Sequence, residues 1–333
     1  ALLARGLAYA SARGVKTCLG FEVHGDPTDP EEQRRFRARF LQLLRDYPML
    51  DYVWLWQGEA RSMEGTNPPP LRSQGGRVYR DWDRAFAYAG SPARRWEGMR
   101  VAYYGLLAQR LLDSQAPGVK LVLSGWGGDQ WLHVSDYFPA WDQVLDKRII
   151  FAALDNIRVS PQVSQHYRLP PDRERWAIPW YEYDGDQWFP QANAAIFAQT
   201  VRDAREKGCQ GLLSIHWRTK EVGESQALVA DYAWHPERTL EAFYQDYGTR
   251  RVGTSQGRAF GREPLRTARS IISGLADPAP RLGRNGRQKT VSSAGRSPVR
   301  DPLKGHDPFF CHAPYFSCAC FNRRFSHRFL PFL

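Results

Sequence analysis

Six short apolar runs, each closed by a polar or charged residue, constrain the fold of this chain more than any other feature of its sequence. They are Val15–Glu22, Leu50–Glu59, Val119–Asp129, Ile149–Asp155, Trp176–Glu182 and Leu212–His216. Stretches long enough for a helix separate them. A near-continuous apolar run is what a strand buried on both faces looks like, and strands alternating with helices build a parallel sheet. In a (β/α) barrel every strand ends at the same rim, and functional groups sit at those ends. Five of the six closing residues are carboxylates, and several lie beside tryptophan. The expected fold is therefore α/β, a (β/α) barrel spanning residues 1–252.

The connecting segments support this alternation. Ala1–Arg13 reads as the end of a helix, with Gly14 as punctuation. Pro30–Tyr47 reads as an amphipathic helix, with Phe36, Phe40, Leu43 and Leu44 at helical spacing and Pro30, Glu31 and Glu32 at its start. Pro92–Ser114 reads as a long helix, and shorter ones are expected near Phe138–Leu145, Gln191–Lys207 and Pro236–Tyr247. The stretch from Glu59 to about Ser91 shows no clear period and is rich in Gly, Pro and Arg, so it reads as a long loop over the rim.

Charge divides the chain. Residues 251–333 hold 15 Lys and Arg against 4 Asp and Glu, which accounts for the whole net charge of +11 and leaves residues 1–250 balanced. All 12 Trp lie in that balanced part. Phosphate binding needs a clustered basic surface, so no nucleic-acid partner is expected for the main domain. Residues 253–333 read as a basic, low-order tail: either a disordered segment or sequence read out of frame. Cys18 and Cys209, each in or beside a strand, read as two separate buried thiols. Cys311, His312, Cys318, Cys320 and His327 in the tail match no zinc spacing. No stretch approaches the ~18 apolar residues of a membrane span, and no signal peptide is visible. No membrane partner, metal or cofactor is expected, and the localisation stays open between cytoplasmic and secreted.

The strand ends carry the candidate chemistry. In Leu50-Asp-Tyr-Val-Trp-Leu-Trp-Gln-Gly-Glu59 a buried strand delivers a carboxylate beside Trp54 and Trp56. Desolvation raises a carboxyl pKa, which suits a general acid. A Glu exposed at a loop start, or paired with an Arg, gives the same pattern. In the segment from Trp176 to Trp188, Glu182, Asp184 and Asp186 alternate with Trp180, Tyr181 and Tyr183, but the Gly and final Glu of a calcium loop are missing. One catalytic carboxylate among stacking aromatics explains this mixture better. Asp155 closes an apolar strand, and Asp129 follows Ser124-Gly-Trp126-Gly-Gly. His216, Trp217 and Arg218 end the last strand; His216 suits a substrate hydroxyl or carboxylate, and Arg218 a uronic-acid carboxylate held bidentately. Carboxylates and aromatic faces at one rim are what glycoside hydrolysis requires. The substrate-binding candidates are Glu22, Trp56, Trp126, Asp129, Trp180, Tyr181, Asp184, His216, Trp217 and Arg218.

This order of residues resembles the α-glucuronidases and the related β-hexosaminidase-like (β/α)₈ glycoside hydrolases over roughly residues 14–250. Counted as the third to eighth strands of such a barrel, the six runs place Glu59 after the fourth, Asp155 after the sixth and Glu182 after the seventh. The resemblance implies Glu59 as general acid and Asp155 and Glu182 as the carboxylates that activate water. It also implies that two N-terminal strands of the barrel have no counterpart here. β-Hexosaminidases carry an adjacent Asp-Glu pair at the fourth strand, whereas Gly58 precedes Glu59. The expected function is hydrolysis of a carbohydrate, with a non-catalytic carbohydrate-binding barrel as the alternative and an anchoring role for the basic tail a third reading.

Overall fold

The computed structural model describes residues 2–57, 68–70, 72–125, 134–154, 163–179, 194–216, 223–253 and 315–320; of 215, 216 and 315–320 it describes the backbone. In chain order the elements are α1 (Leu2–Ala12), β1 (Cys18–Val23), α2 (Pro30–Asp46), β2 (Tyr52–Gln57), α3 (Gln74–Phe86), α4 (Pro92–Gln115), β3 (Lys120–Gly125), α5 (Phe138–Val144), β4 (Ile150–Ala153), β5 (Arg175–Ala177), α6 (Ala194–Glu206), β6 (Gly211–His216), α7 (Gly223–Trp234), α8 (Leu240–Val252) and β7 (Tyr315–Cys320).

The six expected strands are present and lie side by side in sequence order, each parallel to the next. Parallel crossovers are right-handed, so an order that never reverses sends every crossover over the same face. The packing agrees. One buried cluster joins outward strand residues such as Val53, Leu55, Leu121, Leu123 and Phe151 to the helices. The second gathers strand-borne side chains and, among the described residues, includes none from a helix: Tyr52, Trp54, Trp56, Val122, Ile150, Ala152, Leu154, Trp176, Ile178 and Leu213. Among the described residues the helices lie on one face only, which distinguishes this sheet from a doubly wound one.

The helix-free face is concave. Tyr52 on β2 and Trp176 on β5 stand three strand spacings apart, about 14 Å in a flat sheet. Their ring centroids are nevertheless 5.1 Å apart, edge to face. Only a curled sheet brings them together, and the molecule is accordingly an α/β fold built on a curled parallel six-stranded sheet. Gly211, beside Trp176 in register, leaves the indole room that a Cβ would fill.

Sequence reading departs from the structure in four places. Residues 74–86, read as loop, form α3. Ser73 caps it by accepting from Gly76 N–H, and its buried or half-buried face carries Val78, Tyr79, Trp82 and Phe86. Gly75 is there because Pro69, Thr28 and Trp96 crowd its Cβ position. A further helix, α7, buries Leu228, Val229, Tyr232 and Ala233 where none was expected. Cys18 and Cys209 are half-buried, not fully buried; Cys18 stands on β1, which among the described residues pairs with β2 alone. Within the tail, residues 315–320 form β7, which pairs antiparallel to β6 from Gly211↔Cys320 to His216↔Tyr315.

The face where the strands begin is built for stability. Arg173 is fully buried: Nε donates to Asp142 Oδ1 at 2.7 Å, Nη1 to the carbonyls of Asp146 (2.6 Å) and Ile149 (2.8 Å), and Nη2 to that of Leu145 (3.0 Å). It thereby ties together the carbonyls of the turn that joins α5 to β4. Its guanidinium also lies 4.3 Å from the Phe151 ring centroid.

Candidate functional site

All six parallel strands end at one edge, and the concave face meets that edge in a row of aligned residues. Glu22 on β1 is in register with Trp56 on β2, which is in register with Ser124 on β3. Period-two alternation puts all three on the face that carries Tyr52 and Trp54. His24, two residues beyond Glu22, shares its face, and Nε2 lies 3.1 Å from Glu22 Oε2. Both side chains are open to solvent. Trp56 is buried and packs edge to face on Trp54 at 5.0 Å. Among the described residues the buried Ser124 hydroxyl has no hydrogen-bond partner, a costly state for a polar group. The row therefore offers a carboxylate, an imidazole, an indole face and an unused hydroxyl over three adjacent strands.

The turn that follows β1 holds this row in place. The Tyr104 hydroxyl donates to the His24 carbonyl. Gly25, at φ 73°, adopts the left-handed conformation that turns the chain away. Asp26 Oδ1 then accepts from Thr28 N–H (2.8 Å) and hydroxyl (2.7 Å), and Asp29 caps α2 through Glu31 N–H at 2.7 Å. At the β4–β5 junction the buried Tyr167 hydroxyl lies 3.0 Å from both Ala153 N and Ala153 O, and 3.2 Å from Trp176 O.

Of the residues expected from sequence, Glu22 and Trp56 are brought together in one row. His216 is the last residue of β6, with its backbone paired to Tyr315. The catalytic candidates Glu59, Asp155 and Glu182 lie outside the described residues, as do Trp126, Asp129, Trp180, Tyr181, Asp184, Trp217 and Arg218. In sequence, Glu59 follows β2 by two residues, Asp155 follows Leu154, and Glu182 follows β5 by five residues. His24 and Ser124 escaped sequence reading. His24 was within reach, since a second polar residue two positions from Glu22 falls on the same strand face. Ser124 required knowledge of which face is concave.

Among the described residues no three His, Cys, Asp or Glu side chains cluster as metal ligands, and no helix is long and apolar enough to cross a membrane. The chain matches no protein-family model, no curated protein and no solved structure.

Proposed function

We propose that the edge at which β1–β6 end is the active face of a (β/α)-barrel glycoside hydrolase, and that the curled sheet is the larger part of that barrel. The observation that carries this reading is the concave, helix-free face lined by Trp54, Trp56 and Trp176 and ending in the Glu22–Trp56–Ser124 row with His24. Indole faces stack on the C–H faces of a sugar ring, while carboxylate, imidazole and hydroxyl groups exchange hydrogen bonds with its hydroxyls. Glu59 would protonate the leaving glycosidic oxygen, and Asp155 or Glu182 would deprotonate a water attacking the anomeric carbon from the opposite face. Proton and leaving group then balance without a cofactor. A separation of about 6.5–9.5 Å between acid and base carboxylates goes with inversion, and ~5–5.5 Å with a covalent intermediate and retention. Uronic-acid substrates fit Arg218 as a bidentate carboxylate partner.

The experiment is turnover of aryl-glycosides, neutral and uronic, by the wild-type chain and by Glu59→Gln, alongside oligosaccharide binding followed by tryptophan fluorescence. Hydrolysis that depends on Glu59 supports the proposal. Binding without hydrolysis makes the protein a carbohydrate-binding barrel, and neither binding nor hydrolysis removes the carbohydrate reading.

A further inference from the structure

The N-terminal half of α4 carries a polar face that the proposed chemistry does not use. Glu97 Oε1 accepts from Gln57 Nε2 at 2.7 Å, and Gln57 is the last residue of β2. The Tyr137 hydroxyl, in the segment after β3, lies 3.2 Å from Glu97 Oε2 and 3.0 Å from the Arg94 carbonyl, with one proton between them. The Tyr137 ring lies flat on Gly98, where a Cβ would overlap it, and Trp141 Nε1 donates to the Gly98 carbonyl at 3.0 Å. Two turns after Glu97, Tyr104 holds the His24 carbonyl at the end of β1.

Arg100, three residues after Glu97 on α4, is 2% exposed, and its Nε and Nη2 atoms make no hydrogen bond among the described residues. Burial pulls its pKa down, opposed by the nearby charges of Glu97 and Asp26. A buried guanidinium with bare donors is a poor way to stabilise a helix–sheet contact, because well-packed apolar residues do as well or better. What buried polar groups add is directional: hydrogen bonds with Gln57, Tyr137 and His24 are all made at one rotation and one height of α4 over the sheet.

We infer that Glu97 is a positioning residue that fixes the exit of β2 and the segment after β3 relative to one another. Glu97 clamps the β2 exit two residues before Glu59. The functional meaning rests on reading that edge as the sugar site, whereas the positioning itself can be measured without substrate.

Amide hydrogen exchange on the whole chain tests it. Glu97→Leu should speed exchange in peptides covering 52–57 and 134–141 by roughly ten- to a hundredfold, the size expected for losing hydrogen bonds to a charged group. Helices α6–α8 should keep their protection. Glu97→Gln, which retains an acceptor for Gln57, should restore most of the protection at 52–57. The double variant Gln57→Leu/Glu97→Leu should be no worse there than either single variant. Unchanged exchange at 52–57 in Glu97→Leu, or equal loss of protection across α6–α8, overturns the inference. A chain that hydrolyses no glycoside but shows the expected exchange pattern leaves the inference standing and removes only the hydrolase proposal.

Discussion

Replacing Arg173 with Met should cost more stability than any other single change at the face where the strands begin. The guanidinium is fully buried and places hydrogen bonds on Asp142 and on the carbonyls of Leu145, Asp146 and Ile149. Met fills much of the volume but donates nothing. Three backbone acceptors and a half-buried carboxylate then lose a charged donor together, and Asp142 keeps only Lys147, at 2.8 Å, as a hydrogen-bonded cation. Breaking a buried pair by removing one partner costs about 3–5 kcal/mol. At roughly 2–4 °C per kcal/mol for a folded unit of this size, Tm should fall by about 6–20 °C. Arg173→Lys should recover little, since a single ammonium cannot span four acceptors arranged around a planar fork. Urea unfolding at neutral pH is the assay, with an unchanged slope and a lower midpoint expected. A loss below about 1 kcal/mol would refute the reasoning, because it would mean that the acceptors regain partners without the guanidinium.

Three further outcomes follow from the same structure. Asp142 is pushed up by its own burial, but hydrogen bonds from Lys147 and Arg173 and the charge of both outweigh this and hold its pKa below the ordinary value. A depressed folded pKa contributes stability above the unfolded pKa, ~3.9, and loses it as pH falls through the folded value; the stability gap between wild type and Asp142→Asn should therefore be full near pH 7 and close below about pH 4, and a gap independent of pH would contradict the assignment. Gly98→Ala gains helix propensity but drives a methyl into the buried Tyr137 ring; overpacking of about 1–3 kcal/mol should win over the ~1 kcal/mol gained, and a higher urea midpoint would show that Tyr137 can yield. Trp56→Ala should weaken oligosaccharide binding about tenfold, or ~1.4 kcal/mol, in a fluorescence titration, and equal affinities would take Trp56 out of the site.

Much of the sheet was legible because buried parallel strands leave a one-dimensional trace: Leu121–Leu123 and Ile149–Leu154 are apolar on both faces and read as strands without any tertiary knowledge. Long helices with sharp starts, such as α2 with Asp29, Pro30 and two glutamates, were equally plain. α3 was hidden because Gly75, Gly76 and three arginines break the visual pattern, although Val78, Trp82 and Phe86 repeat at every fourth position. β7 could not be read from residues 315–320 alone, since its place depends on the edge that β6 offers. In the row at the strand ends, Glu22 and Trp56 were legible because the residues that close a strand can be read locally. Glu97 was not, because its meaning lies in bonds to Gln57, 40 residues earlier, and Tyr137, 40 residues later. Interior helix positions carry no local signal of that kind.

The most direct test of the account is the turnover of a cleaved aryl-glycoside by the wild-type chain and by Glu59→Gln, with folding of both verified by thermal melting. The account predicts a loss of about 10²–10⁴-fold in kcat with Tm unchanged, the range for removing a general acid. Equal turnover by the two chains would contradict it.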